Sequence, residues 1–208
     1  MPTIDGTLIT SGTIDGSKLK SNANILNAAL RQQTFQRIHI PFTSWRVWNA
    51  METNLPGTSA ADDLGLYGGT FGTASPTLQT YDVKTVGATN LYARAAIALP
   101  HNYDDGETVQ LRFHAGMKTT VADTSCTLDV ECYESDLEEG IGSDLCSTAA
   151  TTINSLTLAD IDFTITATAL VAGDVLDVRI NAAPNDGAGG TAVIGMIGNA
   201  ELLCDTRG

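Results

Sequence analysis

The 208-residue sequence predicts an all-β fold, an antiparallel β-sandwich with an extended N-terminal arm and one short helix. A jelly roll is the first choice of topology and an immunoglobulin-like Greek key the second. Three observations predict this class. Apolar residues recur at every second position through stretch after stretch of the second half, the period of a strand with one face buried. Gly is frequent at 20 residues, and Asp-Gly pairs divide β-prone runs, which is the chemistry of tight turns. Aromatic residues are only 6%, so the core must be built from Val, Ile, Leu, Ala and Thr. The apolar share of 43% is too high for disorder, and the length suits a single domain with an appended arm.

Residues 1–21 form the arm. Thr3-Ile4-Asp5-Gly6 returns as Thr13-Ile14-Asp15-Gly16, and two copies are too few for a solenoid with its own core. Such an arm is expected to order against another surface, with Ile4, Asp5, Leu8, Ile9, Ile14, Asp15, Lys18, Leu19 and Lys20 as its partner-binding residues. A linker helix is expected in 22–36: Asn22 or Asn24 caps it, and Ile25, Leu26, Ala29 and Leu30 make one apolar stripe. Ile25, Leu26 and Leu30, together with Trp48, are the candidates for an oligomer interface.

The sandwich is expected over 37–208. Ile38, Ile40 and Phe42 alternate with polar neighbours, and Trp45 and Trp48 fall on opposite faces, one core and one rim or interface. Residues 52–77 read as a long surface excursion, broken by Pro56-Gly57, Gly68-Gly69 and Pro76, with one short strand near Leu64–Phe71. Strands then follow at Leu91–Leu99, Val109–Ala115, Cys126–Cys132, Ile161–Ile165 and Leu176–Ile180. The last stretch, Thr191–Asp205, is interrupted by Gly195 and Gly198, which predicts a bulge or close packing.

Charge excludes some functions. The net charge is −13, which argues against sequence-independent binding to nucleic acid. It is unevenly placed: the first fifty residues hold Lys18, Lys20, Arg31, Arg37 and Arg46 against Asp5 and Asp15, so a weakly basic N-terminal stretch precedes an acidic body. No apolar run approaches the ~18–20 residues that span a bilayer, and the first residues lack the pattern of a secretory signal. A protein made in the cytoplasm with no membrane partner is expected. Cys126 and Cys132 share one strand about 20 Å apart, too far for a disulfide, so reduced buried thiols are expected of them, of Cys204 and of Cys146.

The search for chemistry is largely negative. Zinc-protease, P-loop, dinucleotide-binding and nucleophile-elbow motifs are absent, and Gly140-Ile141-Gly142-Ser143-Asp144 is read as a hairpin loop. His39, His101 and His114 have no second ligand at metal spacing. No catalytic residue, metal site or cofactor is expected, and the chain is read as a non-enzyme. The acidic loop Glu134–Gly140 does not fit an EF-hand and is read as a solvated loop, with oxygen ligation of calcium as the lesser reading.

The repeated Thr-Ile-Asp-Gly arm, the linker helix and the sandwich ending in Ala192-Val193-Ile194-Gly195-Met196-Ile197-Gly198 resemble virion structural proteins of tailed bacteriophages, of the capsid decoration (cement) or head-fibre kind. The segments Gly106–Thr124 and Asp160–Asn181 look like those of phage and prophage proteins. This resemblance implies a non-catalytic jelly-roll body on the exterior of a virion, made in the host cytoplasm. It implies binding to a major capsid protein or neighbouring subunits through the arm by added strands, and a homo-oligomer, a trimer before a dimer. The alternative is a tail- or fibre-associated receptor- or carbohydrate-binding module, for which Trp48 and the 52–77 loop are the candidates.

Overall fold

The alternation read in the sequence becomes two antiparallel sheets packed face to face. The computed structural model describes residues 33–119, 124–135, 140–190 and 192–207. In chain order the strands are β1 (Gln33–His39), β2 (Arg46–Val47), β3 (Ala50–Asn54), β4 (Gly65–Tyr67), β5 (Thr77–Gln79), β6 (Gly87–Ala88) and β7 (Leu91–Ala98). They continue as β8 (Val109–Met117), β9 (Thr124–Ser135), β10 (Thr151–Thr152), β11 (Ala159–Ile165), β12 (Val175–Asp186) and β13 (Gly195–Arg207). One sheet runs β11-β8-β13-β5-β4, with β1 also on β13; the other runs β10-β9-β12-β7-β2-β3. From β7 onward the chain changes sheet at every connection except β9 to β10, which is jelly-roll connectivity rather than a meander.

The core lies between the sheets because one side of each long strand is apolar. Leu91, Ala93, Ala95 and Ile97 of β7 face it, as do Leu176, Val178, Ile180 and Ala182 of β12 and Val109, Leu111 and Phe113 of β8. Phe113 sits 6.1 Å from Trp45 and 6.0 Å from Phe163, centroid to centroid, forming an aromatic cluster in a largely aliphatic core. Cys126, Cys132 and Cys204 are buried free thiols, as their place on apolar faces predicts, and Cys146 is partly exposed.

The long last strand carries the predicted irregularity. Its pairing with β8 shifts register between Ile197 and Asn199, a bulge centred on Gly198. Gly195 plays the other expected role: a Cβ there would lie 2.8 Å from the Cys126 sulfur of the facing sheet. One edge of β13 serves two neighbours, β5 at Met196–Ile197 and β1 at Glu201–Arg207. Arg207 Nε donates to Asp104 Oδ1 over 2.7 Å, tying the end of β13 to a carboxylate only 1% exposed.

Three boundaries differ from the sequence reading. β1 begins at Gln33, so residues 33–36, assigned to the linker helix 22–36, are strand; Gln33, Thr34, Phe35 and Gln36 pair with Arg207, Thr206, Asp205 and Cys204. That backbone ladder decides the conformation of a segment whose own pattern is weak. Phe42 lies not in a strand but in a single 3-10 turn, Phe42–Ser44, after Pro41, which lacks the N–H a ladder needs. The 52–77 excursion holds its expected short strand as β4, while β3 and β5 enter at its ends. The arm 1–21, with Ile4, Asp5, Leu8, Ile9, Ile14, Asp15, Lys18, Leu19 and Lys20, and Ile25, Leu26 and Leu30 of the helix, lie outside the described residues.

Gly195→Ala overpacks the contact with Cys126 and is expected to cost about 1–3 kcal/mol in urea unfolding. Adding Cys126→Ala in the same chain should recover part of that loss. Burial pushes the Cys126 and Cys132 thiols up to about 12 and Cys204 up to about 11. The unfolded thiols ionise near their ordinary value while the folded ones keep their protons, so stability is expected to fall as pH rises above about 9. A thiol reagent at pH 8 should label Cys146 at most in the native protein and all four cysteines in guanidinium.

Candidate functional site

The solvent face of the second sheet is built by strand register. Across it, Glu131 of β9, Arg179 of β12, Arg94 of β7 and Arg46 of β2 stand directly opposite one another. Asp129, Asn181 and Tyr92 form the row on one side of these, and Tyr133, Asp177 and Ala96 the row on the other. Each is the polar member of an alternation whose apolar members fill the core, so the packing that buries Leu176, Val178 and Ile180 also presents this array.

Three arginines in one row repel unless they are compensated. Arg94 makes a bidentate pair with Asp177, Nε to Oδ1 at 2.7 Å and Nη2 to Oδ2. That carboxylate holds the Arg94 guanidinium above its ordinary range. Arg179 pairs with Glu131 opposite it. Arg46 instead donates to the carbonyl of Thr43 at 2.7 Å.

Aromatic rings close the upper side. Trp48 and Asn49 form the turn between β2 and β3, and the half-buried Trp48 ring lies 5.1 Å from Tyr92 at an angle of 47°. The Arg179 guanidinium sits over both rings, 5.1 Å from Trp48 and 5.0 Å from Tyr92. Trp48 Nε1 donates to Asp62 Oδ2 at 2.9 Å, so the loop before β4 reaches into the site. Together Trp48, Asn49, Arg94, Glu131, Tyr133, Ile141, Asp177 and Arg179 line an open cavity of about 300 Å³. A smaller one of about 90 Å³, walled by Tyr92, Asp129 and Asn181, shares Glu131 and Arg179 with it.

Of the residues singled out in the sequence, Trp48 is in this site and Trp45 is in the core at 1% exposure, on opposite faces as expected. The hairpin 140–144 borders it through Ile141, and Asp144 Oδ1 fixes that hairpin by accepting the N–H groups of Cys132 and Cys146, each at 2.9 Å. His39 and His114 stand on the opposite sheet, bonded to Asn199 and Asp160 at 2.9 and 2.7 Å. Of the acidic loop, residues 136–139 lie outside the described residues. Among the described residues no group of three or more His, Cys, Asp and Glu is placed to hold a metal ion, and no helix is long and apolar enough to cross a membrane. Arg94, Glu131, Tyr133, Asp177 and Arg179 carry no motif or spacing that marks a site in the sequence, and the solvent face of the other sheet has similar chemistry in Arg112, Asp160, Asp162 and Glu201.

No protein-family model matches the chain, and no curated protein matches it. Among solved structures it is similar to the carbohydrate-binding module CBM28, specific for non-crystalline cellulose, with 11% identity, 79% of this chain and 89% of that chain covered, and a TM-score of 0.41. The mannan-recognising module TmCBM27 gives 12% identity, 83% and 98% coverage and 0.41. The Clostridium thermocellum xylanase 10B CBM22-1–GH10 modules, in complex with xylohexaose, give 12% identity and 0.39; the match covers 84% of this chain and 28% of that one. Likeness at this distance carries no argument about a ligand or a site.

Arg179 is the centre of the array, and its removal has a defined cost. Arg179→Ala takes the guanidinium off two aromatic faces and leaves Glu131 without it, an expected loss of about 1 kcal/mol in chemical unfolding. Trp48 emission should shift to longer wavelength, while the buried Trp45 contributes an unchanged component.

Proposed function

We propose that the protein is a non-catalytic binding module that takes a carbohydrate chain across the solvent face of the second sheet. The observation that carries this reading is the union of Trp48 and Tyr133 with paired, planar polar groups in one open cavity, with Tyr92 in the wall of the smaller cavity beside it. A sugar offers apolar C–H faces and a rim of hydroxyls; aromatic rings match the first, and guanidinium, carboxylate and amide groups match the second. Charge supports an uncharged ligand. Glu131 and Asp177 balance Arg179 and Arg94, so the charged side chains that line the cavity sum to zero.

The same pairing supports a binding role over a hydrolytic one. Both carboxylates are committed as acceptors to arginine, an arrangement that suits neither a general acid nor a free nucleophile. Of the two readings raised by the sequence, the exposed aromatic and polar cluster supports the carbohydrate-binding alternative. Capsid decoration rests on the arm 1–21, outside the described residues.

Affinity electrophoresis and calorimetry of the full chain against xylan, glucomannan, dextran, alginate and pectate test the reading. A neutral polysaccharide is expected to bind, and Trp48→Ala or Tyr133→Ala to weaken it at least tenfold, about 1.4 kcal/mol. Binding that is confined to the acidic polymers, or that survives both substitutions, would count against it.

A further inference from the structure

The position of the Trp48 ring is fixed from outside its own hairpin, by residues 59–64. This segment runs alongside Tyr92: Tyr92 N–H donates to the Asp62 carbonyl and Leu64 N–H to the Tyr92 carbonyl, each at 2.8 Å. One short stretch therefore registers both aromatic residues of the site. Asp62 adds the 2.9 Å bond from the Trp48 indole, and the carboxyl of its neighbour Asp63 lies beside the Trp48 main chain.

Holding it this way is unfavourable locally. Ala61 adopts φ +53°, a left-handed conformation that is unfavourable for a residue with a side chain. Burial, with Asp62 adjacent, pushes the Asp63 carboxyl up, and its Oδ1 is buried with no hydrogen-bond partner. Strain and an unsatisfied buried oxygen in one short segment persist where the surrounding structure enforces them, and such sites cluster at binding surfaces.

We propose that Asp62 is a positioning residue for ligand binding: its carboxylate fixes the angle of the Trp48 indole, so that the ring is a preset stacking platform before ligand arrives. This rests on the carbohydrate-binding reading of the same face. Presetting the ring removes the ordering cost that a mobile indole would meet on binding. Asp62 itself touches no ligand in this scheme; it acts through Trp48.

The test uses the ¹⁵N-labelled full chain, whose two tryptophans give two indole N–H signals, assigned with Trp48→Phe. Asp62→Ala is expected to move the Trp48 indole signal upfield and speed its exchange with solvent at least tenfold, leaving the Trp45 signal in place. It should also weaken, at least fivefold, the polysaccharide that binds the unaltered chain most tightly in the panel above. Asp62→Asn, whose amide oxygen accepts the same bond, should restore both readouts to within twofold. If Asp62→Ala fails to fold, Asp62→Ser, too short to reach the indole, carries the same expectation.

An indole signal and exchange rate unchanged in Asp62→Ala overturn the proposal, whatever binds. A shifted indole with undiminished affinity overturns the positioning role and leaves the carbohydrate reading standing. Absence of binding by the unaltered chain overturns that reading and the positioning role together, while the indole signal still decides whether Asp62 holds Trp48.

Discussion

Strand β12 is the constraint on which the rest of the molecule depends. It pairs along its whole length with β9 and over eight residues with β7, and its side chains alternate between core and solvent without a break. Because the period is two, a slip of one residue against either neighbour would turn Arg179 and Asp177 into the core and Val178 and Ile180 out to water. Burying a charged group without its partner is among the costliest errors a fold can make. The apolar side of β12 therefore sets the register of the sheet, and the register in turn decides which polar groups meet on its other side.

That coupling explains why a face with so many charges is tolerable. Arg94 and Arg179 are opposite each other, a destabilising arrangement alone, yet each reaches a carboxylate fixed by the same pairing. Exposed ion pairs contribute little stability one by one, so the array is better understood as a fixed pattern of donors and acceptors than as a source of fold stability. The rings of Trp48 and Tyr92 complete it by giving Arg179 a flat surface to lie on. The opposite sheet uses the same device, with Arg112 bidentate to Asp162 at 2.6 and 2.7 Å, which holds that carboxyl below its ordinary range, but without aromatic neighbours of this kind.

The sequence made the long strands legible because burial on one face writes a period of two. Leu91–Leu99, Cys126–Cys132 and Leu176–Ile180 could be assigned from alternation alone, and Gly198 from its interruption of it. Short or exposed strands leave no such trace: β3 has no buried residue, and β1 is mostly exposed and owes its conformation to β13. The site was harder for the same reason. Arg94, Glu131 and Arg179 are far apart in the chain, and only register, which composition does not encode, brings them into one row. The bond between Asp62 and Trp48 joins a loop to a turn, where no periodicity exists to be read.

The double edge of β13 bears on how the molecule is made. The last strand of the described chain lies at the centre of its sheet, with β8 on one side and β1 and β5 on the other. The earliest described strand, β1, finds its partner at Glu201–Arg207. During synthesis β8 and β11 can pair as they emerge, but β1 must wait for the far end of the chain. Contacts of such long sequence separation slow folding, because loop closure precedes any stabilisation from the contact. The edge of β8 that β13 takes stays unpaired meanwhile, which makes a nascent or truncated chain lacking β13 the species most exposed to aggregation and to chaperones.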